Sequence, residues 1–118
     1  MKTLISICGS DGDDEELNKY ATEVAYQIGK LVAQRNGVIV CGGHTGVMEA
    51  VCKGCKDENG LTVGIMPYTK EEANQYIDIA IPTNIGNIRN YMVSGTGDVT
   101  IAISGRSVSY THLTLPTN

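Results

Sequence analysis

The feature that most constrains this chain is the stretch from Val38 to Ala50, where a short apolar run leads into three glycines. The β-branched residues at its start predict a strand buried on both faces, as is typical of parallel sheets. Gly42 and Gly43 follow directly. Glycine adopts backbone conformations closed to other residues, and without a Cβ it lets a ligand approach the main chain. A turn alone needs only one glycine, so the pair favours a binding loop over a simple connection.

A helix is predicted to begin at Thr45, whose side chain could cap it and leave the amides near Gly46 to Met48 facing the loop. Those donors and the positive end of the helix dipole suit a phosphate or another anion. The sequence therefore predicts an anion site formed by Gly42, Gly43, His44, Thr45 and Gly46.

Length and charge exclude several classes of protein. The 118 residues are expected to form one domain, and 42% hydrophobic with 19% charged residues is ordinary for a globular protein. A net charge of -4 without basic runs, and the absence of Phe and Trp, argue against nucleic-acid binding. No apolar segment is long enough to span a membrane, and the N-terminal apolar run is too short for a signal peptide. We therefore expect a cytoplasmic protein.

Among four cysteines, Cys52 and Cys55 have the C-x-x-C spacing of redox and zinc sites. The pair falls inside a predicted helix, and no second Cys/His pair completes a zinc set. Because reduced cysteine is small and readily buried, core packing is favoured and no metal site is expected. Cys8 and Cys41 end strands beside helix starts, which could lower their pKa, but small wall residues are the favoured interpretation.

Alternating patterns along the chain predict strands at 3–8, 38–41, 61–65, 77–81 and 98–104, with helices or helical turns between them. The first helix carries an apolar stripe and ends before Asn36, and capping boxes are predicted at Asp13/Glu16 and Thr69/Glu72. This order indicates an α/β fold: a Rossmann-like, three-layer, doubly wound and mostly parallel sheet of about five strands. The 66–76 connection is short for a helical crossover, which leaves the position of the fourth strand open.

Ligands of such sheets bind beyond the carboxyl ends of the strands. Gly9 and Ser10 follow the first strand, so we expect them beside the glycine loop. NAD is disfavoured, because Cys41 stands at the first position of the G-x-G-x-x-G pattern and no acidic residue ends the third strand.

Four segments together are similar to the molybdenum-cofactor-carrier-like branch of the SLOG/LOG superfamily, also labelled lysine decarboxylase-like. They are Cys41-Gly-Gly-His-Thr-Gly-Val-Met-Glu-Ala50, Val63-Gly-Ile65, Asp78-Ile-Ala-Ile-Pro82 and Gly86-Asn-Ile-Arg-Asn90. The resemblance implies a Rossmann-like domain that holds a nucleotide-type or pterin-type phosphate, with the molybdenum cofactor or a nucleotide as the bound ligand.

Enzymes that the chain resembles are phosphoribohydrolases, which split nucleoside 5′-monophosphates into base and ribose phosphate. In them an Arg pairs with a Glu of a P-G-G-x-G-T-x-x-E loop. Arg89 matches the Arg and Asn90 follows it, but the Glu has no counterpart, so activity of this chain is doubtful. Arg89 is the candidate catalytic residue and a candidate phosphate ligand, with a surface ion pair as the alternative. Glycosidic cleavage needs a placed carboxylate, for which Glu49 is a candidate although it is expected to face solvent.

After Ser104 and Gly105 the sequence matches nothing in the family and resembles translated sequencing-adapter sequence. We expect a C-terminally incomplete domain at 1–105 and a foreign tail at 106–118. An incomplete sheet would expose apolar surface, so a homo-oligomer or poor solubility would follow. Three functions stay open: a binder of a small phosphorylated ligand, a fragment of a phosphoribohydrolase, and, more weakly, a thiol or metal protein.

Overall fold

The computed structural model describes residues 1–9 and 15–103, without the side chains of residues 15–18. Within this part of the chain five strands form one parallel sheet, and three α-helices accompany it. The strands are β1 (Leu4–Gly9), β2 (Val38–Cys41), β3 (Leu61–Met66), β4 (Ile79–Pro82) and β5 (Val99–Ile103), in the spatial order β4-β3-β2-β1-β5. The helices are α1 (Glu15–Gln34), α2 (Val47–Asp57) and α3 (Asn90–Thr96). The predicted Rossmann-like α/β fold is confirmed.

Strand β2 occupies the centre of the sheet and is buried along its whole length, as its apolar run predicts. Its side chains alternate between two cores. Ile39 and Cys41 pack with α1 and α2, whereas Val40 packs with Val93 of α3. Helices on both faces therefore produce three layers, and the carboxyl end of β2 lies between them.

Helices α1 and α2 approach each other backbone to backbone. A Cβ on Gly29 would lie 2.0 Å from the carbonyl oxygen of Val51, and one on Gly54 would lie 2.0 Å from that of Tyr26. No side chain fits such distances, so glycine is required at both positions. Because Gly54 lies inside the C-x-x-C segment, helix packing accounts for one residue of that motif.

The apolar stripe predicted for α1 is only partly buried. Ala21 and Ala25 are inaccessible, but Tyr20 is 70% exposed and Leu31 is 50% exposed. The close helix crossing selects small residues at the contact and leaves the larger side chains at its margin.

The predicted start of α2 is wrong. The helix begins at Val47, and its N-cap is Gly46 with φ 74° and ψ -131°, with no side-chain cap. Gly46 turns the chain into the helix with a positive φ, which residues with a side chain adopt only with strain. Thr45 lies one residue before this position and therefore does not cap the helix. The capping box at Asp13/Glu16 lies outside the described residues. The other one is confirmed, because Thr69 and Glu72 bracket a 3-10 turn at Lys70–Glu72.

The fourth strand pairs in parallel with β3 at the edge of the sheet. The connection from β3 carries the 3-10 turn rather than a crossover helix. Asp78 anchors the start of β4 by accepting hydrogen bonds from the Thr62 amide at 3.0 Å and from Lys56 Nζ at 2.8 Å. The edge position leaves Ile79 and Ile81 largely exposed. A second 3-10 turn, Gly86–Arg89, leads into α3. Within residues 1–9 and 15–103, no helix combines the length and hydrophobicity that a membrane crossing requires.

Candidate functional site

The glycine loop, residues 42–46, leaves the carboxyl end of β2 between the ends of β1 and β3. Gly9, the last residue of β1, packs against the start of α2: a Cβ there would lie 2.6 Å from Cγ1 of Val47. The structure therefore places Gly9 beside the first residue of α2, directly after the loop; its role in a site stays a prediction. Ser10 lies outside the described residues.

The carbonyl oxygens of the loop are held by two side chains from distant segments. Arg89 Nη2 donates to the Gly42 oxygen at 3.3 Å. Asn74 Nδ2 donates to the carbonyl oxygens of Gly43 at 3.2 Å and His44 at 2.7 Å. The backbone N–H of Asn74 also donates to the Gly43 oxygen, at 2.9 Å. Three successive carbonyl groups thus point into the protein.

This arrangement determines where the amides of the loop point. In a trans peptide unit the carbonyl and the following N–H point in opposite directions. Since the oxygens of Gly43 and His44 face Asn74, the amides of His44 and Thr45 face away from it. The Gly43 amide donates to Cys41 Sγ at 3.4 Å, whereas no acceptor within the described residues bonds the amides of His44 and Thr45.

The first turn of α2 adds further donors beside the loop. Its first intrahelical bond runs from the Ala50 amide to the Gly46 oxygen at 3.0 Å, so the amides of Val47, Met48 and Glu49 precede the helical ladder. Thr45 and Gly46 are exposed, so solvent reaches this end of the helix. Donors of loop and helix start together form a surface suited to an anion.

Glycine is required at position 43 both by its backbone conformation, as the sequence predicts, and by the side chain that lies beneath it. Gly43 has φ 77°, and a Cβ there would lie 2.3 Å from Sδ of Met66. A side chain at this position would therefore press on the core beneath the loop rather than fill the space above it.

Arg89 is buried, with only 3% of its surface exposed. Its Nε donates to the Ile65 oxygen at 2.9 Å and its Nη1 to Asn87 Oδ1 at 3.0 Å, in addition to the bond with Gly42. The side chain therefore does not lie at the surface, and it is placed among main-chain oxygens at the ends of β2 and β3. Asn90 is exposed at the first position of α3, and no hydrogen bond within residues 1–9 and 15–103 joins its side chain to the loop.

His44 lies between a cation and a carboxylate. Its Nδ1 is 3.5 Å from Arg89 Nη2, and its Nε2 is 4.0 Å from Oε2 of Glu72. The imidazole ring therefore lies between the guanidinium and the carboxylate, and its tautomer determines which ring nitrogen donates. Backbone hydrogen bonding from Thr69 holds the pKa of Glu72 below its usual value, so this carboxylate is ionised at neutral pH.

Asn74 and Glu72 are the contributors that sequence reasoning missed. Glu72 was recognised only as a capping residue. No spacing signal connects Asn74 to the loop, because the contact bridges thirty residues and depends on the path of the 66–76 connection.

The contacts of the cysteines differ from those that the C-x-x-C spacing suggests. Cys52 and Cys55 are buried, and Cys55 Sγ donates to the Leu61 oxygen at 3.6 Å instead of facing Cys52. Burial raises the pKa of Cys55 to about 11 and also raises that of Cys8, which disfavours a thiolate at Cys8, the alternative to the predicted wall residue. In the described part of the chain no cluster of three or more His, Cys, Asp or Glu residues is arranged to hold a metal.

Comparison with known proteins places the chain in a family. The model of the SLOG cluster4 family matches residues 2–115. The chain belongs to the SLOG cluster4 family.

The matched range of this SLOG cluster4 protein includes most of segment 106–118, which the sequence analysis interprets as foreign; that interpretation stays a prediction. An uncharacterised protein from Archaeoglobus fulgidus is 38% identical over 106 residues, covering 89% of this chain and 68% of the relative.

Solved structures similar to the SLOG cluster4 chain include two proteins whose names refer to the molybdenum cofactor. The molybdenum cofactor binding protein of Rippkaea orientalis is 35% identical with a TM-score of 0.80, over 88% of this chain and 63% of that one. The molybdenum cofactor carrier protein of Chlamydomonas reinhardtii is 28% identical with a TM-score of 0.75, over 87% and 62%. The chain thus spans less than two thirds of the length of these structures.

Proposed function

We propose that this protein binds a small phosphorylated ligand of nucleotide or pterin type at the glycine loop and holds it without turning it over. The observation that carries the proposal is the orientation of the loop. Arg89 and Asn74 bind the carbonyl oxygens of Gly42, Gly43 and His44, so the amides of His44 and Thr45 face the opposite side.

A phosphate is the group that fits this surface best. Its oxygens accept several hydrogen bonds at once, and the loop amides and the first turn of α2 supply donors without any side chain. The helix dipole and the buried Arg89 both favour negative charge nearby. The carboxylate of Glu72 disfavours a bound anion, but the His44 ring lies between this carboxylate and Arg89.

Similarity to proteins named for the molybdenum cofactor supports a carrier role over a catalytic one. The residues described here fit the phosphate of a pterin-type ligand through main-chain donors, and the molybdenum cofactor would be cargo on that surface. Hydrolysis of a nucleotide would require a carboxylate at the sugar. Glu49 is half-buried on the first turn of α2, and no contact places it at the loop.

Calorimetric titration with AMP, inorganic phosphate and a phosphorylated pterin tests the proposal, with unphosphorylated adenosine as the matched control. Binding of the phosphorylated compounds but not of adenosine is the expected result. Equal affinity for AMP and adenosine would contradict a phosphate site. Chromatography of the AMP mixture decides between carrier and hydrolase, because only a phosphoribohydrolase releases adenine.

A further inference from the structure

The thiol contact beneath the glycine loop is not the one suggested by the C-x-x-C spacing. Cys41 Sγ, at the end of β2, lies 3.7 Å from Cys52 Sγ in the middle of α2. Both residues are completely buried. Cys41 Sγ also accepts the amide hydrogen of Gly43 at 3.4 Å, so the thiol pair is bonded directly to the loop.

We propose that Cys41 and Cys52 form a reversible disulfide when a hydroperoxide oxidises the protein, and that Cys55 takes no part. A disulfide requires the two sulfurs to close from 3.7 Å to about 2 Å, a movement of less than about 2 Å. Cys55 is directed to the Leu61 oxygen on β3, so its thiol is engaged elsewhere.

Cys41 is the residue that attacks the oxidant. The hydrogen bond from Cys52 and the amide of Gly43 favour its thiolate and lower its pKa, whereas the hydrogen bond to Cys41 and burial raise the pKa of Cys52. The Cys41 thiolate attacks one peroxide oxygen, the O–O bond breaks, and a sulfenic acid and hydroxide form. The Cys52 sulfur then attacks the sulfenic sulfur; the S–S bond forms, the S–O bond breaks, and the released hydroxide leaves as water with the Cys52 proton.

The location of the pair makes its oxidation relevant to the loop. A disulfide sulfur is a weaker acceptor than a thiolate, so the Gly43 amide loses its partner when the bond forms. Since neither thiol is accessible to solvent, an oxidant reaches them only through local opening of the fold. We therefore expect slow oxidation and faster amide hydrogen exchange of residues 42–46 in the oxidised protein.

Digestion with trypsin distinguishes a disulfide between Cys41 and Cys52 from one between Cys52 and Cys55. Cleavage after Arg35 and Lys53 gives peptide 36–53, which contains both Cys41 and Cys52, whereas Cys55 lies in peptide 54–56. After treatment of the full chain with hydrogen peroxide, peptide 36–53 should lose two hydrogen atoms in mass. Dithiothreitol should restore it.

Two matched variants complete the test. Cys55→Ser should retain the mass loss of peptide 36–53, and Cys52→Ser should abolish it. A disulfide joining peptide 36–53 to peptide 54–56 would overturn the proposal, as would an unchanged peptide or one carrying only added oxygen on Cys41. Because the wild-type peptide alone decides the pairing, the test survives a variant that does not fold.

Discussion

Arg89 Nη2 donates to the carbonyl oxygen of Gly42 over 3.3 Å, which joins the turn before α3 to the glycine loop. The same guanidinium reaches the Ile65 oxygen at the end of β3, so one buried cation ties together the carboxyl ends of two neighbouring strands. Arg suits this position better than Lys, because its planar group presents donors in several fixed directions.

Arg89→Met should lower the free energy of unfolding, since main-chain oxygens of Gly42 and Ile65 lose a buried donor. Each such loss costs about 1–3 kcal/mol, so a total decrease of roughly 2–6 kcal/mol is expected in urea denaturation. Arg35→Met, at an exposed position after α1, is the control and should change stability by under about 0.5 kcal/mol. Equal stability of Arg89→Met and the wild type would show that the side chain does not hold the loop.

Asn74→Ala should weaken AMP binding, because the carbonyl groups of Gly43 and His44 lose the donor that orients them. A decrease of about 5- to 30-fold in affinity corresponds to the roughly 1–2 kcal/mol of a neutral hydrogen-bond pair. Gln75→Ala removes an exposed amide from the next residue and serves as the matched control in the same titration. Equal AMP affinity of Asn74→Ala and Gln75→Ala would show that Asn74 has no role in ligand binding.

Gly54→Ala should destabilise the fold, since the added methyl group would lie 2.0 Å from the Tyr26 oxygen. Overpacking of this kind costs about 1–3 kcal/mol, and a backbone neighbour cannot move as a side chain does. Gly95→Ala is the opposite case: nothing lies within 4 Å of its added Cβ in α3. Thermal denaturation should therefore show a lower Tm for Gly54→Ala. For Gly95→Ala the Tm should be unchanged or higher, because the greater helix propensity of Ala contributes up to about 1 kcal/mol to the free energy of unfolding. A fall in Tm for both variants would mean that helix packing is not the cause.

Asp78 should make stability depend on pH in the acid range. Burial opposes its ionisation, but hydrogen bonds from Lys56 and Thr62 outweigh it and lower the pKa. A group whose pKa is lowered by folding stabilises the protein above its unfolded pKa of about 4, and that contribution is lost as the pH falls through the folded value. Asp78→Asn should therefore be less stable than the wild type at neutral pH, and the difference should shrink below about pH 4.

Urea denaturation at several pH values measures this effect. Glu71→Gln, an exposed acid in the 3-10 turn, is the control and should leave the pH dependence unchanged. A difference between Asp78→Asn and the wild type that is constant from neutral to acid pH would contradict the assignment to the carboxylate.

Local patterns in the sequence were sufficient for most of the architecture. The apolar run at Val38–Cys41 predicted a strand buried on both faces, and Asn36 and Gly37 marked the end of α1. The glycines of residues 42–46 identified the loop, and two of them, Gly43 and Gly46, have the positive φ that favours this residue type. Periodicity and turn chemistry are properties of neighbouring residues, so a single sequence expresses them directly.

Only the tertiary structure decided which distant groups meet. It placed β4 at the edge of the sheet, replaced Thr45 by Gly46 at the N-cap, and paired Cys41 rather than Cys55 with Cys52. It also brought Asn74 to the loop carbonyls and buried Arg89 behind them. Such contacts depend on how helices and strands pack against one another, and residue spacing along the chain carries no record of that packing.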